Sequence, residues 1–329
     1  MKFAARLVQQ LSVSALIAFA LAPTSTFAQN DSPIRILVGF SPGGSTDMIA
    51  RHLALGLQRE LGRPVVVDNK PGAGGQIAAQ ALKQAKPDGL TIFLSNSHAI
   101  SMIPLTVRQP GYDPAKDFSP VALVALIPDV LVVSTRGVPG STPSLKDFAA
   151  WAKANPGKGN VGVPAPASAP DFAVSMISAE ISAQLVSVPY RGEAPLIQDL
   201  IAGQIPAGIG SIAATLPAAK EGKIRIVAIN GMARSPSLPD VPTYGELGIA
   251  GYETVGFTAL YAPAGTSDAL VKAYAAATSK VVGSKDFSEK MTALGATAVQ
   301  GASEDVKKLM HAADTSFASM VKRTGFQPQ

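Results

Sequence analysis

The sequence predicts an α/β protein of two lobes with a cleft between them. Three observations carry this. Strand-length apolar runs alternate with helical spacings from residue 34 onward, strand ends open into glycine-rich loops, and 329 residues exceed one average domain.

The elements follow in order. Residues 34–40 form an apolar strand ending in Ser41-Pro42-Gly43-Gly44. Residues 46–61 carry Ile49, Leu53, Leu57 and Leu61 on one helical stripe. A strand over 64–67 leads to a second glycine-rich loop, Pro71-Gly72-Ala73-Gly74-Gly75, and a helix over 76–84. A third strand, 90–94, ends in Ser95-Asn96-Ser97-His98. Such βαβαβ order predicts a mainly parallel sheet covered on both faces. Strands follow at 121–125, 130–134, 161–163, 185–188, 205–209 and 224–229, with a last long strand at 253–261. Helices are expected at 145–154 behind Ser144, at 171–183 behind a capping Asp171, and at 196–202. The tail reads as helices over 268–282, 285–294 and 303–324. Asp113 and Asp117 are expected to order the loop before the first passage between lobes.

The chain crosses between lobes near 125–130 and returns near 245–252. The expected division is a first lobe of 29–127 plus 247–329 and a second lobe of 128–246. Residues 1–28 read as a cleavable export signal. Lys2 and Arg6 precede the apolar run 11–21, and Thr26-Phe27-Ala28 offers small residues at the cleavage positions. The run is too short to span a bilayer as a helix.

Composition removes several functions. With no Cys there are no disulfides, thiolate metal sites or cysteine nucleophiles. The three histidines, His52, His98 and His311, stand at no ligand spacing, so neither a metal nor a cofactor is expected. The net charge of +5 is scattered, without the basic stripe of a nucleic-acid binder.

The chemistry is expected in the loops. In open α/β sheets ligands bind beyond the carboxyl ends of the strands. Both glycine-rich loops lie there and each precedes a helix, whose free N–H groups and dipole favour an anion. Neither loop has the lysine of a P-loop or the spacing of a dinucleotide fingerprint. A small anion such as a carboxylate fits better. Gly39-Phe40-Ser41-Pro42-Gly43 imitates a hydrolase nucleophile elbow. The residue after Ser41 is a proline, however, and cannot donate the oxyanion-hole N–H. In the second half, Arg191 could fork onto a carboxylate, Ala167 and Ser168 lie in a small post-strand loop, and Gly210-Ser211 lets backbone approach the cleft. Asp47 and Asp171 suit the first turns of their helices better than acid–base work.

Several segments then recur together: residues 39–47, 64–75, Pro87-Asp88-Gly89, 112–118, Pro189-Tyr190-Arg191-Gly192 and 234–243. In this order they resemble the Bug-type extracytoplasmic solute receptors of tripartite tricarboxylate transporters, across essentially the whole mature chain. The resemblance implies a type II periplasmic binding protein fold, a hinge, a small carboxylated solute and permease partners in the inner membrane, with the receptor a monomer. It places Ser41, Gly43, Gly44, Ser45, Thr46 and Asp47 in a first ligand loop and Gly72, Ala73 and Gly74 in a second. Ser95, Asn96, Ser97 and His98 fall in a third, and Ala167, Ser168, Arg191, Gly210 and Ser211 on the opposite lobe. The chain departs from the pattern at 164–171 and at Gly210-Ser211, where many relatives carry an acidic residue or Asn. That change is expected to favour a solute without an amine, and Ala165, Ala167 and Ala169 a roomier apolar wall for a di- or aromatic carboxylate. The rival readings are a solute sensor for a membrane signalling protein and a secreted α/β hydrolase using Ser41.

Overall fold

Alternating apolar positions set the first strand, β1 (Ile34–Val38). Ile34, Ile36 and Val38 pack with Ile49, Leu53 and Leu57 of α1 (Ser45–Leu61), while Leu37 joins Phe93, Ala78, Ala79 and Leu82 on the other face. The period of two in the strand and the stripe in the helix thus meet in one core. This computed structural model describes residues 32–138, 140 and 144–329, so the export signal read at 1–28 lies outside the described residues.

The chain continues through β2 (Val65–Asn69), a 3-10 turn at Ala73–Gly75, α2 (Gln76–Lys83) and β3 (Thr91–Asn96). A π turn at His98–Met102 then runs into α3 (Ile103–Thr106). After α4 (Pro114–Asp117), β4 (Phe118–Ile127) completes this stretch. Asp113 caps α4 and donates its own N–H to the Asp117 carboxylate at 2.7 Å, which orders the loop as the sequence suggested.

A second group of elements is β5 (Asp129–Ser134), α5 (Leu145–Ala154), β6 (Asn160–Val163), α6 (Ala169–Glu180) and β7 (Val186–Pro189). It goes on with α7 (Glu193–Ala202), β8 (Ala207–Ser211), α8 (Ile212–Lys220) and β9 (Ile224–Ile229). The tail holds β10 (Gly256–Pro263), α9 (Asp268–Val282), α10 (Lys285–Ala293), β11 (Thr297–Ala302) and α11 (Ser303–Thr324).

Two sheets result, ordered β11-β4-β10-β3-β1-β2 and β7-β6-β8-β5-β9. They are mixed rather than mainly parallel. β1 pairs in parallel with β2 and β3, and β6 with β7 and β8. β10 runs antiparallel to β3 and β4, and β5 antiparallel to β8 and β9. β11, at the edge of the first sheet, also runs antiparallel to β4.

Other expectations need correction. β10 is not the last strand. β11 follows it on the sheet edge, and its exposed, polar-broken sequence hides the alternation of a half-buried strand. α8 was not expected, and it carries Pro217 in its interior. α6 is capped by Ser168, whose side chain accepts from the Asp171 N–H. Asp171 instead receives the Ala167 N–H at 2.7 Å. α7 begins at Glu193, three residues before the expected start, which places an acidic side chain on its first turn.

Only Pro128 separates β4 in the first sheet from β5 in the second. The return runs from Ile229 to Gly256. Asn230, 1% exposed, stitches the two passages together. Its side-chain oxygen accepts the Asp129 N–H and its amide donates to the Thr254 carbonyl, both at 2.8 Å. The Tyr252 hydroxyl donates to the Asp129 carboxyl at 2.8 Å. Buried polar groups left without partners cost about 1–3 kcal/mol each. Asn230→Ala is therefore expected to lower the unfolding free energy in urea by about that much, and an unchanged midpoint would remove Asn230 from this role.

Candidate functional site

A cavity of about 90 Å³ lies between the two sheets, of a size for a small solute. Its walls come from the strand ends and helix starts of both. From the first sheet's side come Gly44, Ser45 and Thr46 at the start of α1, Asn96 at the end of β3, and Ser97 and His98 just after it. From the second come Ser168 at the start of α6 and Ser211 at the start of α8. All of these are among the residues anticipated as ligand-binding. An outer groove of about 280 Å³ shares Phe40 and Pro164 with the cavity and holds Gly72, Ala73, Gly74 and Arg191.

The remaining anticipated residues line neither space. Ser41 donates its hydroxyl to the Arg191 carbonyl at 3.2 Å, so it ties the two sides of the cleft together. Gly43 gives its N–H to Asp47 at 2.9 Å. Ser95 is buried in β3. Ala167 holds a left-handed φ of 50° that turns the backbone toward Asp171. Gly210 pairs with Val130 inside the second sheet.

Asp47 is a fastener for the first loop. Only 2% of it is exposed, and its carboxylate accepts from Gly43, from both ends of the Arg51 fork and from Asn69, each at 2.9 Å. Asn69 also donates to the Phe40 carbonyl at 3.1 Å, which links β2 to the same loop. Burial opposes the charge on Asp47. The hydrogen bonds from Arg51, Gly43 and Asn69 outweigh it and hold the carboxyl below its ordinary value. The second loop comes against the first so closely that a Cβ on Gly39 would stand 2.7 Å from the Gly75 Cα. A Cβ on Gly74 would stand 2.6 Å from His98 Nε2. His98 is thus the partition between the second loop and the cavity. Neither of its ring nitrogens has a partner among the described residues, and burial pushes its pKa down to about 4. It is neutral at physiological pH and offers hydrogen bonds, not charge.

Several lining residues were not legible beforehand. Phe40, Met102, Ile127, Phe257 and Phe317 supply an apolar wall, joined by Ala165, Ala169 and Pro170. Thr258 reaches the cavity with a buried hydroxyl that has no partner among the described residues. Asp129 and Glu193 are the two acidic residues of the lining. The sequence showed Gly210-Ser211 where an acidic group was anticipated and so suggested a cleft without one. Two carboxyl groups reach it from other positions. Glu193 accepts the Ser45 N–H at 3.0 Å and the Ser211 N–H at 2.7 Å. Burial pushes the Asp129 carboxyl up to about 7, with Glu193 adding to the rise and the Tyr252 hydrogen bond opposing it.

Against known proteins, the profile described as the tripartite tricarboxylate transporter family receptor matches residues 49–326. The chain belongs to that receptor family. The receptor is 32% identical to protein BugT of Bordetella pertussis over 321 residues, covering 97% of this chain and 98% of BugT. It superposes on the periplasmic binding protein BugD with a TM-score of 0.84 and 30% identity, over 90% of this chain and 99% of that one. The R. palustris protein Rpa4515, solved with adipate, gives a TM-score of 0.85 and 30% identity, over 92% and 100%. The receptor therefore has the periplasmic binding protein fold, with two lobes and the cavity in the cleft between them. No helix among the described residues is long and apolar enough to cross a membrane.

Two tests follow from the charges. Asp47→Ala leaves the Gly43 and Asn69 donors without their acceptor and is expected to cost about 1.5–3 kcal/mol in urea unfolding at neutral pH. The contribution of a carboxyl held low is present above its unfolded value and lost in acid, so the gap between variant and wild type should close as pH falls below that range. Asp129 has the opposite sign. Its pKa rises from 3.8 unfolded to about 7 folded, so its contribution declines as pH rises through that window. Asp129→Asn is expected to flatten the stability profile between those limits, and an unchanged profile would refute the assignment.

Proposed function

We propose that the protein captures a small carboxylated solute in the periplasm by closure of its lobes and hands it to the membrane subunits of a tripartite tricarboxylate-type transporter. The carrying observation is the convergence of helix starts from both lobes on one small cavity. α1 begins behind Gly44, which has no side chain to cap it, so first-turn N–H groups beyond Ser45 remain for an anion. Ser97, His98 and Thr258 add neutral hydrogen-bonding groups on the same side. The lobes divide as 33–127 plus 247–329 and 128–246, with Pro128 and the stretch around Tyr252 as the hinge. Cleavage after Ala28 would deliver the chain to the periplasm.

The apolar wall of Phe40, Phe257, Phe317 and Met102 supports a solute with an aromatic or alkyl body behind its carboxylate. Adipate in Rpa4515 shows that a relative of this fold holds an aliphatic acid. A hydrolase finds no support in the geometry, because Ser41 lies outside the cavity and gives its hydroxyl to a backbone carbonyl. Arg191 is exposed in the outer groove and does not reach the inner cavity.

Thermal shifts against aliphatic, hydroxy, amino and aromatic acids, followed by calorimetry, test the reading. A solute bound only by the folded state at 100 times its Kd adds about 2.7 kcal/mol, which raises the melting temperature visibly. Saturable binding of at least one acid is expected. Silence from all four classes, with esters or neutral solutes binding instead, would overturn the proposal.

A further inference from the structure

Glu193 sits where a solute group would be expected. Its carboxylate stands between the start of α1 in one lobe and the start of α8 in the other. Both amides it accepts belong to buried residues, Ser45 at 7% and Ser211 at 6% exposure. The fit is unforced. A Cβ on Gly44 would lie 3.8 Å from one carboxylate oxygen and a Cβ on Gly210 3.8 Å from the other, both ordinary contacts. The position is built from the backbone as well, because Gly192 turns with a φ of 103° and sends the chain into α7 with Glu193 first.

We infer that Glu193 is a specificity residue that restricts this cavity to monocarboxylates. Its own carboxylate takes the two backbone donors through which a second solute carboxylate would be held. This rests on the receptor reading above and narrows its solute class. The rest of the lining agrees. The acidic side chains that line the cavity are Glu193 and Asp129, and no lysine or arginine among the described residues stands in its walls. His98 adds no positive charge, and Arg191 is in the outer groove. A dianion would meet an acidic residue at its far end with no cation to offset it, whereas an alkyl or aromatic tail would meet the phenylalanines. Specificity of this kind comes from repulsion built against the wrong solute as much as from attraction to the right one.

The test compares hexanoate with adipate, which differ by one terminal carboxylate on the same six-carbon chain. Calorimetric titrations of the wild type, Glu193→Ser and Glu193→Gln give the ratio of the two affinities for each protein. Because both acids report on the same closed state, the ratio cancels any general effect of the variant on lobe closure. The wild type is expected to bind hexanoate at least tenfold more tightly than adipate. Glu193→Ser, which frees both amides, is expected to shift that ratio toward adipate by at least tenfold. Glu193→Gln removes the charge at nearly constant volume and is expected to shift it in the same direction. It also carries the test if the serine variant fails to fold. A wild type that prefers adipate, or variants whose ratio does not move, would overturn the role of Glu193 while leaving the receptor reading intact. Failure of both acids to bind any of the three proteins, with no other acid binding the wild type, would overturn both together.

Discussion

A helix cannot satisfy the N–H groups of its own first turn, and the architecture of this cleft is a set of answers to that constraint. α6 and α8 answer it with the hydroxyls of Ser168 and Ser211. α1 has a glycine before it and cannot. Glu193 reaches across from the other lobe to meet the Ser45 N–H, while Asp47 reaches back to fasten the Gly43 N–H of the loop before the helix. One deficit of a single helix thereby shapes the first loop, sets a contact between lobes and leaves a donor-rich surface facing the cavity.

Asp47 at the start of α1 and Asp129 at the start of β5 show how burial and partners divide similar groups into different tasks. Asp47 has four hydrogen bonds, two of them from Arg51, and its charge is secured in place. Asp129 has a tyrosine hydroxyl and little else to stabilise its charge, and a second carboxylate lies in the same cavity. The first fixes a loop, and the second keeps its proton to near neutrality at the point where the chain passes between lobes.

Most of the architecture was legible in the sequence because apolar periodicity reports on burial. The stripe of α1 and the alternation of β1 needed no tertiary information. β11 escaped because an edge strand is half in water and does not alternate cleanly. The site was legible in part. Loop glycines and serines announced Gly44 to Thr46, Ser97, Ser168 and Ser211, since backbone access has a local signature. Glu193 and Asp129 gave no such signal. What makes them cavity residues is the meeting of distant segments, and an acidic residue on a first helical turn reads the same whether it faces solvent or a cleft. Phe317 is hidden for the same reason, because it arrives from α11, far along the chain.

The place of β10 in the first sheet has a consequence for assembly. β10 is inserted between β3 and β4, two strands that precede it by well over a hundred residues. Until residue 263 is available, β3 and β4 each present a bare edge, and the first sheet exists only as two fragments. A chain emerging N-terminus first can complete the second sheet before the first. Its early half then waits with exposed strand edges for a partner still to arrive, a slow, non-local closure that favours rapid capture over leisurely folding.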